Sequence, residues 1–209
     1  MSAQRQPLFD SSLAALVLVN GYQAPRQPSV PRLRAVPARV NAGNTIASPI
    51  QFSPEADPTT TGLELGEGQT TGPVSLGFEF EFFGDRYTWF DLSSDGFMTF
   101  IAYMIPGQYP AGRMLPASRV SQNFIALGCT DVGPLGHRRV VYEVRGEPGR
   151  RRLVLSFSRA PASRDRGLGI MTVQLVLHER TGMIDIHTSR QEPTANRVKQ
   201  EAVRFTTAP

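Results

Sequence analysis

Residues 77–100 read GFEFEFFGDRYTWFDLSSDGFMTF, and how they are read decides the fold. Phe78, Phe80 and Phe82 recur with a period of two, with Glu79 and Glu81 between them. Successive side chains of a strand point to opposite faces, so the phenylalanines line a core and the glutamates face water, the pattern of a half-buried strand. Arg86–Leu92 (RYTWFDL) predicts a second strand, Ser93–Gly96 (SSDG) a turn, and Phe97–Tyr103 (FMTFIAY) a third strand. The Asp95-Gly96 pair suits a tight hairpin, because both residue types tolerate positive φ.

Working outward, Met104–Val120 is a proline-punctuated loop containing Pro106, Pro110 and Pro116. RRVVYEV (138–144) and RRLVLSF (151–157), with RGEPG (145–149) between them, read as a hairpin, and GIMTVQLVLH (169–178) and GMIDIHTS (182–189), joined by ERT, read as another. Only the tail PTANRVKQEAVRF (193–205) predicts a helical turn. Six to nine short strands without alternating helices imply an all-β protein, an antiparallel β-sandwich or a jelly-roll-like barrel. The 209 residues, with 19 glycines and 17 prolines, fit one such domain plus an arm.

The arm is the segment before Thr59. Between Gln23 and Pro58 prolines recur every few residues with arginines between them. Missing N–H groups exclude a central strand, and extended polyproline-like backbone is favoured. The expected organisation is therefore an N-terminal arm over 1–58 and a sandwich over 59–209. Ordering such an arm costs about 1–2 kcal/mol per residue, which contacts outside its own domain must offset. The apolar run SLAALVLV (12–19) is too short to span a bilayer, which takes about 20 residues. Asp10 before it and Pro25 after it make it a poor signal peptide, and it reads as a strand or short helix that docks on another surface.

The formal charge is +4, and Lys199 is the only lysine. The arginines are interleaved with acids and form no dense basic patch, so no specific nucleic-acid partner is expected. Cys129 stands alone, which excludes an internal disulfide, and its apolar setting FIALGCTDVG suggests a small buried side chain.

The ordered series VSLGFEFEFFGDRYTWFDLSSDGFMTF (74–100), NFIALGCTDV (123–132), VVYEVRGEPGRRRLVLSF (140–157) and VQLVLHERTGMIDIH (173–187) resembles the nidogen-like extracellular β-sandwich domains over roughly residues 63–189. Cys129-Thr130-Asp131 stands where that family usually carries Trp-Asp-Asp. The resemblance implies a sandwich fold, a role in adhesion or scaffold assembly, and neither catalysis nor a cofactor.

Candidate sites weigh against bland alternatives. Glu79 and Glu81 lie about 7 Å apart along one strand face, a spacing conceivable for a glycosidase pair, but alternate strand positions ordinarily face water. Asp91, Ser93 and Asp95 have the opening spacing of a calcium loop, yet Ala102 occupies the position where that loop needs a glutamate. His137, His178 and His187 form no short-spaced zinc pair, although the last two flank one hairpin. No nucleophile elbow or phosphate loop is present. No catalytic, cofactor or metal residue is therefore assigned, and no membrane span is expected.

The functional expectation is a non-enzymatic structural subunit of a large assembly, a virion capsid decoration or phage tail component. Its arm arginines Arg26, Arg32, Arg34 and Arg39, with the hairpin-tip residues Arg150 and Arg151, would contact neighbouring protein subunits in a homo- or hetero-oligomer. The alternative is an extracellular adhesion or carbohydrate-binding module, with a glycan as possible partner and the loop aromatics Tyr103 and Tyr109 at the contact.

Overall fold

A computed structural model of the chain describes residues 18–19, 45–59, 61–65, 69–93, 96–100, 123–127, 139–161, 170–192 and 197–207. Twelve strands are defined among them: β1 (Leu18–Val19), β2 (Thr45–Pro49), β3 (Thr61–Glu64), β4 (Val74–Phe82), β5 (Asp85–Ser93), β6 (Phe97–Thr99), β7 (Phe124–Ala126), β8 (Arg139–Arg145), β9 (Arg152–Pro161), β10 (Ile170–His178), β11 (Ile184–Glu192) and β12 (Arg197–Thr207). They form a five-stranded sheet in the order β1-β7-β6-β5-β4 and a seven-stranded sheet in the order β2-β12-β11-β10-β9-β8-β3. Every described pairing is antiparallel. Of the two architectures that the sequence left open, the protein is the sandwich, built from two meanders.

The period-two reading of residues 78–82 holds. Leu76, Phe78, Phe80 and Phe82 are buried while Ser75, Glu79 and Glu81 are exposed. One core joins the sheets: those residues with Phe90, Leu92, Met98 and Ile125 from one side, and Val140, Leu153, Leu155, Val173, Leu175, Leu177, Ile184, Ile186, Val203 and Phe205 from the other. β4 and β5 are linked by Phe83-Gly84, both at positive φ (51° and 87°), the two-residue geometry that matches strand twist. Phe83 at that turn packs edge-on against Phe82, with ring centroids 4.6 Å apart. The β5–β6 hairpin is present as expected, with Ser93 paired to Phe97 and Gly96 at φ 82°. Both later hairpins, β8–β9 and β10–β11, also form in full register.

Two sequence expectations change, and a third holds at its described end. The tail is a strand: β12 pairs with β11 over nine positions and with β2 over five. Lys199, Gln200, Glu201 and Ala202 favour a helix, but Val203 and Phe205 reach the core only if the chain is extended, and tertiary pairing overrides weak propensity. Residues 45–58, read as the end of the arm, lie on the sandwich, with β2 forming one edge of the seven-stranded sheet. The last two residues of the apolar run, Leu18–Val19, do dock, pairing with β7. Among the described residues no helix is long and apolar enough to cross a membrane.

Candidate functional site

β2 and β3 sit at opposite edges of the seven-stranded sheet. The chain from Pro49 to Thr61 must therefore cross six strand spacings, about 29 Å, and a dozen residues reach about 40 Å at full extension. It has to run as a nearly extended strap, a conformation that Pro54 and Pro58 favour. Its path follows the face of the sheet that points away from the core.

That face is organised in ranks of side chains set by strand register. The first rank runs Val141, Ser156, Gln174, His187, Ala202 across β8 to β12. The second runs Glu143, Val154, Val176, Asp185, Arg204, and the third is Arg145, Arg152, His178. The strap lies on the first rank. Ile50 N–H donates to the Ala202 carbonyl at 3.1 Å. Phe52 meets the His187 ring edge-on, with centroids 5.8 Å apart and planes at 77°. Glu55 is gripped through its main chain by Gln174, whose Oε1 accepts the Glu55 N–H at 2.7 Å and whose Nε2 donates to the Glu55 carbonyl at 3.0 Å. The same Nε2 donates to Ser156 Oγ at 3.1 Å, which fixes the amide.

The Glu55 side chain then reaches over the second rank to the third. Arg145 Nη1 donates to its Oε2 at 3.1 Å, and Arg152 Nε donates to its Oε1. Arg145 is shared with Glu143, at 2.8 Å. Burial alone would raise the Glu55 carboxyl; the bonds from Arg152 and Arg145 outweigh it and hold the group below its ordinary value. His187 is buried, and its Nδ1 has no hydrogen-bond partner. Burial pushes this imidazole below its usual value, which Asp185 only partly offsets, with Arg204 adding to the depression. Beside it, Asp185 receives Arg204 Nε at 2.6 Å and Nη2 at 2.7 Å, and pairs with His178 Nε2 at 2.9 Å.

A second cluster closes one corner of the sandwich. Glu179, in the β10–β11 turn, accepts the main-chain N–H groups of Gly149 and Arg151, each at 2.8 Å, and the Arg151 guanidinium at 2.6 and 3.0 Å. Arg151 Nη1 also donates to the Gly77 carbonyl of β4 at 2.6 Å, and its Cζ lies 5.9 Å from the Phe78 ring centre. One guanidinium therefore ties the two sheets together. Gly77 itself sits at φ 75° inside a register shift of β4 against β5, and a Cβ there would meet Val144 Cγ2 at 3.1 Å.

The candidates from sequence are distributed accordingly. Arg151 has its acidic neighbour inside the chain, in Glu179, while Arg150 is exposed on the hairpin tip. Glu79 is exposed and pairs with Arg86 at 2.9 Å, and Glu81 is exposed on the same face. Asp91 and Ser93 are buried. His178 and His187 share a face but stand two ranks apart, about 13 Å along the strands. Among the described residues no group of three His, Cys, Asp or Glu side chains could hold a metal ion. Arg26, Arg32, Arg34, Arg39, Asp95, Tyr103, Tyr109, Cys129 and His137 lie outside the described residues. Sequence reasoning missed Glu55, Gln174 and Glu179, whose partners are 119 or fewer residues away and share no local spacing. The available signal was the acid-containing ERT turn predicted beside an arginine-rich hairpin tip.

Two facing antiparallel meanders define a β-sandwich module. The chain belongs to the NIDO-related family, whose family model matches residues 45–206. The match is wider than the 63–189 resemblance and takes in β2, the strap and nearly all of β12. NIDO-related domains are generally extracellular. Comparisons with curated proteins and with solved structures returned no match. Nothing in these comparisons supports a capsid or tail role.

Proposed function

We propose that this chain is a non-catalytic binding domain of the adhesion type that works outside the cell, engaging a matrix protein or a glycan. The observation that carries this reading is the family match across residues 45–206. The local chemistry supports it. Glu55, Asp185, Glu179 and Glu79 each carry at least one arginine partner, which suits structural ties better than proton transfer, since a general acid needs a raised carboxyl pKa.

The test is saturable binding of the purified chain to a panel of matrix proteins and glycans, together with surface labelling of intact source cells. Binding is expected, weakened about tenfold or more by Tyr103→Ala with Tyr109→Ala, the loss typical of an aromatic anchor. Glu79→Gln and Glu81→Gln should leave it unchanged. No ligand on the panel and no surface label would refute the reading.

A further inference from the structure

The fold divides the arginines that the sequence groups at one hairpin tip. Arg151 is taken up inside the chain by Glu179, and Arg152 by Glu55. Arg150 is exposed on the same tip, and Arg180 is exposed on the neighbouring β10–β11 turn. Arg86, Arg145 and Arg204 each have an acid partner, whereas among the described residues neither Arg150 nor Arg180 has one. The two are held near each other. Glu179 N–H donates to the Arg151 carbonyl at 2.8 Å, while the Glu179 carboxylate accepts Gly149 N–H, Arg151 N–H and the Arg151 guanidinium. Arg150 and Arg180 each stand one residue from that main-chain bond, and consecutive Cα atoms are about 3.8 Å apart, which keeps their Cα atoms within about 14 Å of each other. Arg150 is braced again by its own N–H, which donates to the Glu147 carbonyl at 2.9 Å. Arg180 also takes a backbone conformation unfavourable for its type. Its φ is 67°, in the left-handed region where a side chain crowds its own backbone and glycine is the usual occupant. The β8–β9 tip places glycine at its positive-φ positions, Gly146 and Gly149, and the β10–β11 turn places Gly182 at another. An exposed arginine held at such a position, with no partner for its guanidinium inside the chain, does not stabilise the fold, and backbone strain of this kind gathers at functional sites.

We propose that Arg150 and Arg180 form a two-pronged anion site at this corner of the sandwich, and that its ligand is the sulfate or carboxylate groups of a polyanionic glycan. A guanidinium takes either group as a planar fork. Residues 146–150 and 180–181 are exposed and carry no aromatic or large aliphatic side chain. The corner therefore lacks the desolvated anchors on which protein partners depend, whereas a linear polyanion needs only the charges. The formal charge of +4 on the chain favours its approach, and Glu147, exposed on the same tip, opposes it. The inference rests on the adhesion reading and narrows its ligand to acidic glycans.

Binding of the full chain to immobilised heparin, hyaluronan, neutral dextran and polyglutamate tests it. The wild type should bind heparin, or heparin and hyaluronan if carboxylates suffice, and should leave dextran unbound. Arg150→Ala with Arg180→Ala should weaken that binding about tenfold, each exposed contact contributing about two- to fivefold, and Glu147→Gln should strengthen it. Arg86→Ala with Arg197→Ala removes the same charge elsewhere and should change it less than about twofold. Arg180→Gly separates function from structure: relieved of the left-handed strain, it should melt no lower than the wild type, yet bind about threefold more weakly. Equal losses in the two double variants overturn the site, as does an Arg180→Gly protein that melts lower and binds unchanged. Tighter binding to polyglutamate than to either acidic glycan overturns the glycan and assigns the corner to an acidic peptide. If the Arg150→Ala, Arg180→Ala protein still binds the matrix and glycan panel in full, the site falls and the adhesion reading stands; a wild type that binds nothing on the panel ends both.

Discussion

Asp185 tests directly how the outer face of the seven-stranded sheet is held. Its side chain is 7% exposed and carries both Arg204 bonds and the His178 contact. Burial would raise its pKa, but Arg204 and His178 outweigh burial and bring it from 3.8 to about 2. A carboxyl whose folded pKa lies below the unfolded one stabilises the fold above the unfolded value. That contribution is lost as pH falls through the folded value. The window here runs from 3.8 down to about 2. At about 1.4 kcal/mol per unit the shift contributes roughly 2 kcal/mol at neutral pH. Asp185→Asn removes it. In urea melts followed by the fluorescence of Trp89, the wild type should lose about 2 kcal/mol more than the variant between about pH 5 and pH 2, roughly 1 M in midpoint. Glu179, also held near 2 by Arg151, is common to both proteins and cancels in the difference. Parallel stability curves for the two proteins across that window would refute the reasoning.

Gly77→Ala should cost about 1–2 kcal/mol for the positive φ alone, and more because its Cβ would press on Val144; Gly84→Ala, with nothing within 4 Å, isolates the backbone part, and thermal melts compare the two. Phe205→Ala should destabilise by about 3 kcal/mol and Val198→Ala by less than about 0.5, since the first side chain is buried and the second 54% exposed; similar losses at both would contradict a period of two in β12. Glu179→Gln should speed hydrogen exchange at the Gly149 and Arg151 amides that the carboxylate accepts, and unchanged protection there would count against the corner clamp. His187 is held neutral, so closure of the strap should weaken as pH falls below the ordinary histidine value of 6.5; exchange at the Glu55 amide, corrected for its intrinsic rate, should rise over that range and stay flat in His187→Phe.

How far the sequence foretold this protein depends on the range of the interaction involved. Phe78, Phe80 and Phe82 announced a strand because burial on one face writes itself at every second residue. Gly96 and the RGEPG and ERT segments marked hairpins because turn geometry is local. β12 was misread because Lys199–Ala202 carries helical propensity, and only pairing with β11 shows why it is extended. The strap was misread for a related reason. Prolines signal extended backbone without saying whether it lies on a surface, and the Glu55 contacts to Arg152 and Gln174 span 97 and 119 residues. Arg151, expected at a contact with a neighbouring subunit, binds an acid 28 residues on in the same chain, Glu179.

The pairing of Thr45 with Thr207 has a mechanical meaning. β2 begins at Thr45 and β12 ends at Thr207, so the two residues lie side by side on antiparallel strands at one edge of the seven-stranded sheet. Tension applied between Thr45 and Thr207 would load that pair first, then Ile46 with Thr206, and so on toward Pro49, unzipping the strands one rung at a time instead of shearing them together. The next contacts in the tear line are Ile50, Phe52 and Glu55. Pulled from those two points, the sheet would therefore surrender its edge at low force, with the strap next to peel away, while the two meanders behind it stay folded.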